Sequence, residues 1–265
     1  MADPDSTIKS QIAGFLISRG LTVKEIPRSQ HKTPDLLVEE GATDAVLLEI
    51  KVKTDNPDEM DALAEKLAKG GIVGRSKPTD AWNRLDALVS YAVKQFEEDD
   101  PGHQLHRIVW FCCIGLDSHL YEERLKATIY GSQKLISMEI SGVVTAYYFG
   151  NSAFFRNRGE LDGIVILRGD EAQLHLNEHS SRFAALAQSS FAGAFGPGVF
   201  YPKKYAADPE VMICDFAGLR DASGEPMLDF LRAKYGVEHL QTIDMGMHSA
   251  MMNRPKEPPD RPADD

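Results

Sequence analysis

The chain has 265 residues, 43% of them hydrophobic and 26% charged, with a formal net charge of −11. That length carries one large domain or two small ones with a sizeable core, in the composition of an ordinary globular protein. The acidic balance argues against unspecific wrapping of nucleic acid, which draws on a positive surface field, and no apolar run reaches the ~18 residues of a membrane span.

The start, "MADPDST", has no basic region followed by an apolar one. Cys112, Cys113 and Cys214 sit in apolar surroundings and make no disulfide framework. The expected setting is therefore reducing and cytoplasmic, with no membrane partner.

In chain order, "STIKSQIAGFLISRG" spaces Ile8, Ile12, Phe15 and Leu16 as a helix, with Ser6 or Thr7 as cap and Gly20 as its end. "LTVKEI" alternates as a strand. Pro34 opens a second strand, Asp35 to Glu39; "EEGATD" supplies a turn; and "AVLLEIKVK" reads as a third strand. "NPDEMDALAEKLAKGG" is a helix with an acidic start and a terminal glycine pair, and "PTDAWNRLDALVSYAVKQFEEDD" is a second helix. "RIVWFCCIGL" is the continuous apolar run of a strand buried on both faces. Beyond it, "LYEERLKATIYGSQKLI" predicts a helix, and "GVVTAYYFG" and "LDGIVILRG" predict strands. The later chain loosens into Gly/Ser/Ala-rich loops with two strands ("VMICDF", "HLQTIDM") and a helix ("EPMLDFLRAKYG"). The Pro-rich, charged end, 253–265, predicts disorder.

Strand alternation in "AVLLEIKVK" turns Leu48, Ile50 and Val52 one way and Glu49, Lys51 and Lys53 the other. If this strand pairs with its predecessor as a hairpin, Asp35 and Glu49 meet on one face with Lys51 beside them. Two adjacent carboxylates repel unless a proton or a cation lies between them. Mg²⁺ suits that gap, because it accepts one or two carboxylates and keeps several waters. A lysine alongside can position or help deprotonate water, and together these groups are equipment for hydrolysing a phosphodiester.

Pro34-Asp35, thirteen intervening residues, and Glu49-Ile50-Lys51, behind a helix and a strand, resemble the PD-(D/E)xK nuclease superfamily. The dipeptide "PD" occurs four times, but Glu49-Ile50-Lys51 is the one acid-x-Lys triplet of the chain. The resemblance implies an α/β fold of the restriction-endonuclease-like type: a mixed central sheet in an α-β-β-β-α-β core, flanked by helices. That core would occupy residues 1–118. Residues 119–252 would form a C-terminal α+β extension that either stands apart or completes the same sheet. The implied activity is Mg²⁺- or Mn²⁺-dependent cleavage of nucleic acid, DNA before RNA. Asp35, Glu49 and Lys51 would be catalytic, and Asp35, Glu49 and the Ile50 carbonyl would hold the metal. Family members often carry an acid or amide on the first helix, where Gln11 is the polar candidate here. Some use a Gln or Lys on a later helix, which points to Lys94 and Gln95. The rival expectation is a catalytically silent module of the same fold that binds nucleic acid or a protein.

Between Lys66 and Arg84 lie five basic residues and one acid, Asp80. A glycine-containing loop there would offer Lys69, Arg75, Lys77 and Arg84 to phosphates, or form a solvated charged surface. "HLNEH" (His175, Glu178, His179) formally fits a zinc-peptidase pattern, but its residues alternate as a strand and do not build one helix face. The Met-rich "DMGMHSAMM" fits packing or an oligomer contact, such as a homodimer, as readily as a ligand surface.

Overall fold

A computed structural model describes residues 4–27, 32–40, 44–140, 142–216, 218 and 224–252. The predicted tail, 253–265, lies outside them. The first half runs α1 (Pro4–Ile17), β1 (Thr22–Glu25), β2 (Leu36–Glu40), β3 (Asp44–Lys53), α2 (Pro57–Ala68), β4 (Ile72–Pro78), α3 (Asn83–Asp99), β5 (His106–Cys113). The second half runs α4 (Ser118–Tyr130), β6 (Gln133–Ser137), β7 (Val143–Tyr147), α5 (Ala153–Arg156), β8 (Gly163–Arg168), β9 (Glu171–Leu176), α6 (Phe183–Gln188), α7 (Ser190–Gly193). It closes with β10 (Val199–Phe200), β11 (Val211–Ile213), α8 (Glu225–Tyr235), β12 (Leu240–Thr242) and β13 (Gly246–Met252).

The main sheet has seven strands in the order β1-β2-β3-β5-β8-β9-β10. It is mixed: β2 runs antiparallel to both β1 and β3, β3, β5 and β8 are parallel, and β9 is antiparallel to β8. All eight residues of the central β5 are buried, as its unbroken apolar run requires of a strand covered on both faces. On one face Leu47, Val109, Phe111, Ile164 and Ile166 pack against Leu85, Val89 and Phe96 of α3 and Leu125 and Ile129 of α4. On the other, Leu36, Leu48, Ile108, Trp110 and Val165 pack against Ile12 and Leu16 of α1, Leu186 of α6 and Phe191 of α7. The result is a mixed α/β architecture with a large central sheet flanked by helices.

Strands β8, β9 and β10 lie beyond residue 118 and belong to this same sheet. A second sheet, β11-β7-β6-β12, packs Leu135, Val144 and Met212 against Met227, Leu228 and Leu231 of α8.

The region after residue 180, expected as loops, carries the short helices α6 and α7, and two larger departures from the sequence expectation lie earlier in the chain. The helix expected over 120–136 stops at Tyr130 because Gly131 turns left-handed, at φ 58°, and 133–137 continues as β6. A Cβ at Gly131 would sit 2.5 Å from the Gly150 carbonyl oxygen, so this turn is reserved for glycine. The segment expected as a basic loop forms β4, which pairs antiparallel with β13 from Ile72↔Met252 to Pro78↔Gly246. The core order is accordingly α-β-β-β-α-β-α-β. The Met-rich stretch is the partner of β4. Among the described residues, no helix is long and apolar enough to cross a membrane.

Candidate active site

Asp35 stands one residue before β2, whose pairing with β3 begins at Leu36↔Leu48. The Asp35 N–H donates to the Leu48 carbonyl at 2.8 Å, so Asp35 and Leu36 both face Leu48 and the chain bulges as it enters β2. Its carboxylate lies close enough to Glu49 to act on that residue's charge. The Ile50 N–H donates to Asp35 Oδ2 at 2.8 Å. A strand N–H points along the sheet, so this bond holds the Asp35 carboxylate in the sheet plane, in the gap past the start of β2. The carbonyl of a strand residue points the same way as its N–H, which directs the Ile50 carbonyl toward the same gap.

Glu49 is 4% exposed. Its Oε1 accepts from Lys51 Nζ at 2.5 Å, while its buried Oε2 has no partner. Burial first, and the Asp35 carboxylate second, raise its pKa to about 7 against the opposing pull of Lys51. Burial alone disfavours the charged carboxylate, and the neighbouring acid adds to that effect. Lys51 also donates to Gln95 Oε1 at 3.2 Å, and Gln95 Nε2 reaches the Thr33 carbonyl at 3.4 Å. Gln95, from α3, thus ties the lysine to the chain that leads into β2.

Of the residues the sequence nominated, Asp35, Glu49, Ile50, Lys51 and Gln95 come together. Gln11 does not: it lines a separate cavity of about 560 Å³ with Phe15, Trp110 and Cys112. The residue of α1 that reaches the acids is Lys9, whose Nζ pairs with Asp35 Oδ1. Helical spacing carries the signal for this, because Lys9 shares a stripe with the buried Ile12 and Leu16, from which Gln11 is turned away. Lys94 is exposed on α3 and turned away from Gln95.

The basic residues expected to meet phosphates divide. Lys69 pairs with Glu65 at 2.6 Å on the exposed end of α2. Arg75 meets Asp117 at 2.7 Å and Glu59 at 3.5 Å; Lys77 meets Asp117 at 2.9 Å and also pairs with Glu59. Both are engaged by carboxylates. Arg84 instead leans over the Trp82 ring, 5.7 Å from its centroid.

The zinc-like triplet is dispersed. His175 is fully buried in β9 against Tyr130 and Phe200, and the Tyr148 hydroxyl donates to Glu178 at 2.5 Å. Among the described residues no group of three or more His, Cys, Asp or Glu side chains could hold a metal. Any cation at Asp35 and Glu49 would therefore have two carboxylates, with main-chain and water oxygens completing its shell.

The chain matches no protein-family model, no curated protein and no solved structure.

Proposed function

We propose that the chain is a metal-dependent nuclease of the PD-(D/E)xK type, with a restriction-endonuclease-like core, that hydrolyses phosphodiester bonds of nucleic acid, DNA before RNA. The observation that carries this reading is the buried, unpartnered Glu49 Oε2 beside Asp35. An orphaned carboxylate oxygen facing a second acid fits a divalent cation better than it fits a structural ion pair. Asp35, Glu49 and the Ile50 carbonyl would hold Mg²⁺ or Mn²⁺, a small ligand set suited to a hard cation that keeps its waters. Bound there, the ion supplies Lewis-acid stabilisation of phosphoryl charge and a lowered pKa for water. Lys51, held between Glu49 and Gln95, orients the attacking water and offsets the charge that develops as the P–O bond to the leaving oxygen breaks.

Purified protein incubated with linear, circular, single-stranded and RNA substrates tests this in Mg²⁺, Mn²⁺ or EDTA. Cleavage is expected with metal and not with EDTA. Glu49→Ala and Lys51→Ala should each lower it by at least ~10²–10³-fold, the scale of losing one preorganised electrostatic group. Undiminished cleavage in either variant removes that residue from the chemistry.

One observation favours a second reading. Lys9 already neutralises Asp35, putting an ammonium group where a metal would bind. A permanent Lys9–Asp35 pair would make the chain a catalytically silent module of the same fold, which binds nucleic acid or a protein partner. Binding without cleavage under every metal condition, unchanged in Lys9→Ala, is the outcome that selects this alternative.

A further inference from the structure

Strand β3 runs on past Lys51, and two residues later Lys53 emerges on the same face. A pocket of about 520 Å³ opens there, lined by Lys53, Asp55, Trp82, Arg84, Tyr121 and Arg124 among others. Four strand residues at ~3.3 Å each set the Cα of Lys53 ~13 Å from that of Glu49, so the pocket adjoins the acidic pair without sharing its residues.

The pocket is organised around two stacked rings. Trp82 and Tyr121 lie nearly parallel, 8° apart, with centroids 6.3 Å from each other. Lys53 Nζ is 5.1 Å from the Trp82 centroid and 4.9 Å from that of Tyr121. The Arg124 and Arg84 guanidinium groups sit 4.9 and 5.7 Å from the Trp82 centroid. Ring faces attract cations without neutralising them, so the stack holds three positive groups in fixed positions. The Trp82 main-chain N–H donates to Thr128 Oγ1 at 3.0 Å, and Arg124 Nε donates to the Pro78 carbonyl at 2.8 Å.

Two of the acids nearby are occupied elsewhere, and Asp80 faces Arg124 from beyond ion-pair distance. The Asp55 carboxylate accepts the main-chain N–H groups of Leu116 at 2.6 Å and Asp117 at 2.9 Å. Glu59 is held by Lys77 and Arg75. Among the described residues no carboxylate lies within ion-pair distance of Lys53, Arg84 or Arg124. Burial, and then Arg84, lower the pKa of Lys53 below the usual lysine value, a strain that an anion in the pocket would relieve. In a chain with net charge −11, three clustered cations without carboxylate partners are an unusual arrangement.

We propose that Lys53, Arg84 and Arg124 form a seat for a phosphate group of a nucleic-acid strand that extends from the Asp35–Glu49 centre. The assignment rests on the nuclease reading for its choice of ligand. The rings position the cations, and the cations make the contact.

Binding in EDTA separates this seat from catalysis. Fluorescence anisotropy with a labelled single-stranded oligonucleotide, from about 50 to about 200 mM salt, gives the slope of log K against log[salt]. Lys53→Met, Arg84→Gln and Arg124→Gln should each make the slope shallower by ~0.7, one phosphate contact on a single strand, with thermal unfolding followed for each variant. Arg84 is exposed, so its variant carries the test if another variant fails to fold. An unchanged slope in the folded variants, or no oligonucleotide binding by the wild type, overturns the seat. A circle, a 5′-phosphorylated strand and a 5′-hydroxyl strand distinguish the source of the phosphate. Equal binding assigns an internal phosphodiester, and dependence on the 5′-phosphate assigns a terminal one. Slope losses in a chain that cleaves nothing keep the seat and discard the nuclease; cleavage with unchanged slopes does the reverse.

Discussion

On β4, Arg75 and Lys77 both reach Asp117 and Glu59, so each cation has carboxylates within ion-pair distance. On β3, by contrast, among the described residues Glu49 Oε2 has no hydrogen-bond partner, and Lys53 faces aromatic rings with no carboxylate in ion-pair distance. The two strands carry similar side chains, and the difference lies in what faces them. Asp117, at the entrance to α4, has its carboxylate 11% exposed. Burial works against its charge, but hydrogen bonds from Lys77 and Arg75 outweigh burial and hold its pKa below the usual aspartate value. The β4 charges are thus ion-paired within the protein, although Arg75 Nη1 is itself buried without a hydrogen-bond partner, and they fasten α2, β4 and α4 together. On β3 the Glu49–Lys51 pair leaves Glu49 Oε2 over, and Lys53 lies against rings instead of carboxylates.

The largest expected effect breaks the closed network. Asp117→Ala strands Arg75 and Lys77 and should cost about 3 kcal/mol, the scale of removing one partner of a largely buried ion pair, read by urea unfolding. A loss below ~1 kcal/mol would mean that water already screens these charges.

Next comes the pH response of the open site. With the Glu49 pKa raised to about 7, the folded chain holds more protons than the unfolded one between roughly pH 4.5 and 7. Stability should therefore fall as pH rises through that window, by on the order of 3 kcal/mol, and level off above it. Glu49→Gln should flatten the profile. At pH 8, Mg²⁺ at ~100 times its Kd should restore ~2.7 kcal/mol to the wild type and much less to Glu49→Gln. Calorimetric scans at several pH values read both effects, and equal Mg²⁺ stabilisation of the two proteins would move the metal elsewhere.

A subtler test sets the two groups of cations side by side. Arg75→Gln with Lys77→Gln should change the salt slope of oligonucleotide binding by less than ~0.3, while Lys53→Met with Arg84→Gln flattens it by ~1.4. The smallest effect belongs to Lys69→Ala, which removes one exposed pair on α2 and should cost no more than ~0.5 kcal/mol in the same unfolding measurement.

What the sequence made legible was local. Alternation in 45–53 placed Glu49, Lys51 and Lys53 on one side of a strand, and the Pro34-Asp35 break located where its neighbour begins. What escaped it depended on contacts far along the chain. Residues 72–78 carry glycine and exposed apolar positions, such as Ile72 at 70% exposure, and are a strand because β13 pairs with them from over 160 residues downstream. The helix expected through 136 was stopped by a glycine that lets 131 and 150 approach closely.

The same division runs through the site. By itself the sequence determined which side chains share a face, because a strand's two-residue period and a helix's 3.6-residue period are properties of the local backbone. Only the tertiary structure decided which charges find partners: Lys9 rather than Gln11 at Asp35, Asp117 for Arg75 and Lys77, and aromatic rings for Lys53, Arg84 and Arg124. Ion pairing needs atoms within about 4 Å, and residues separated by tens of positions reach that distance only through the packing of whole elements.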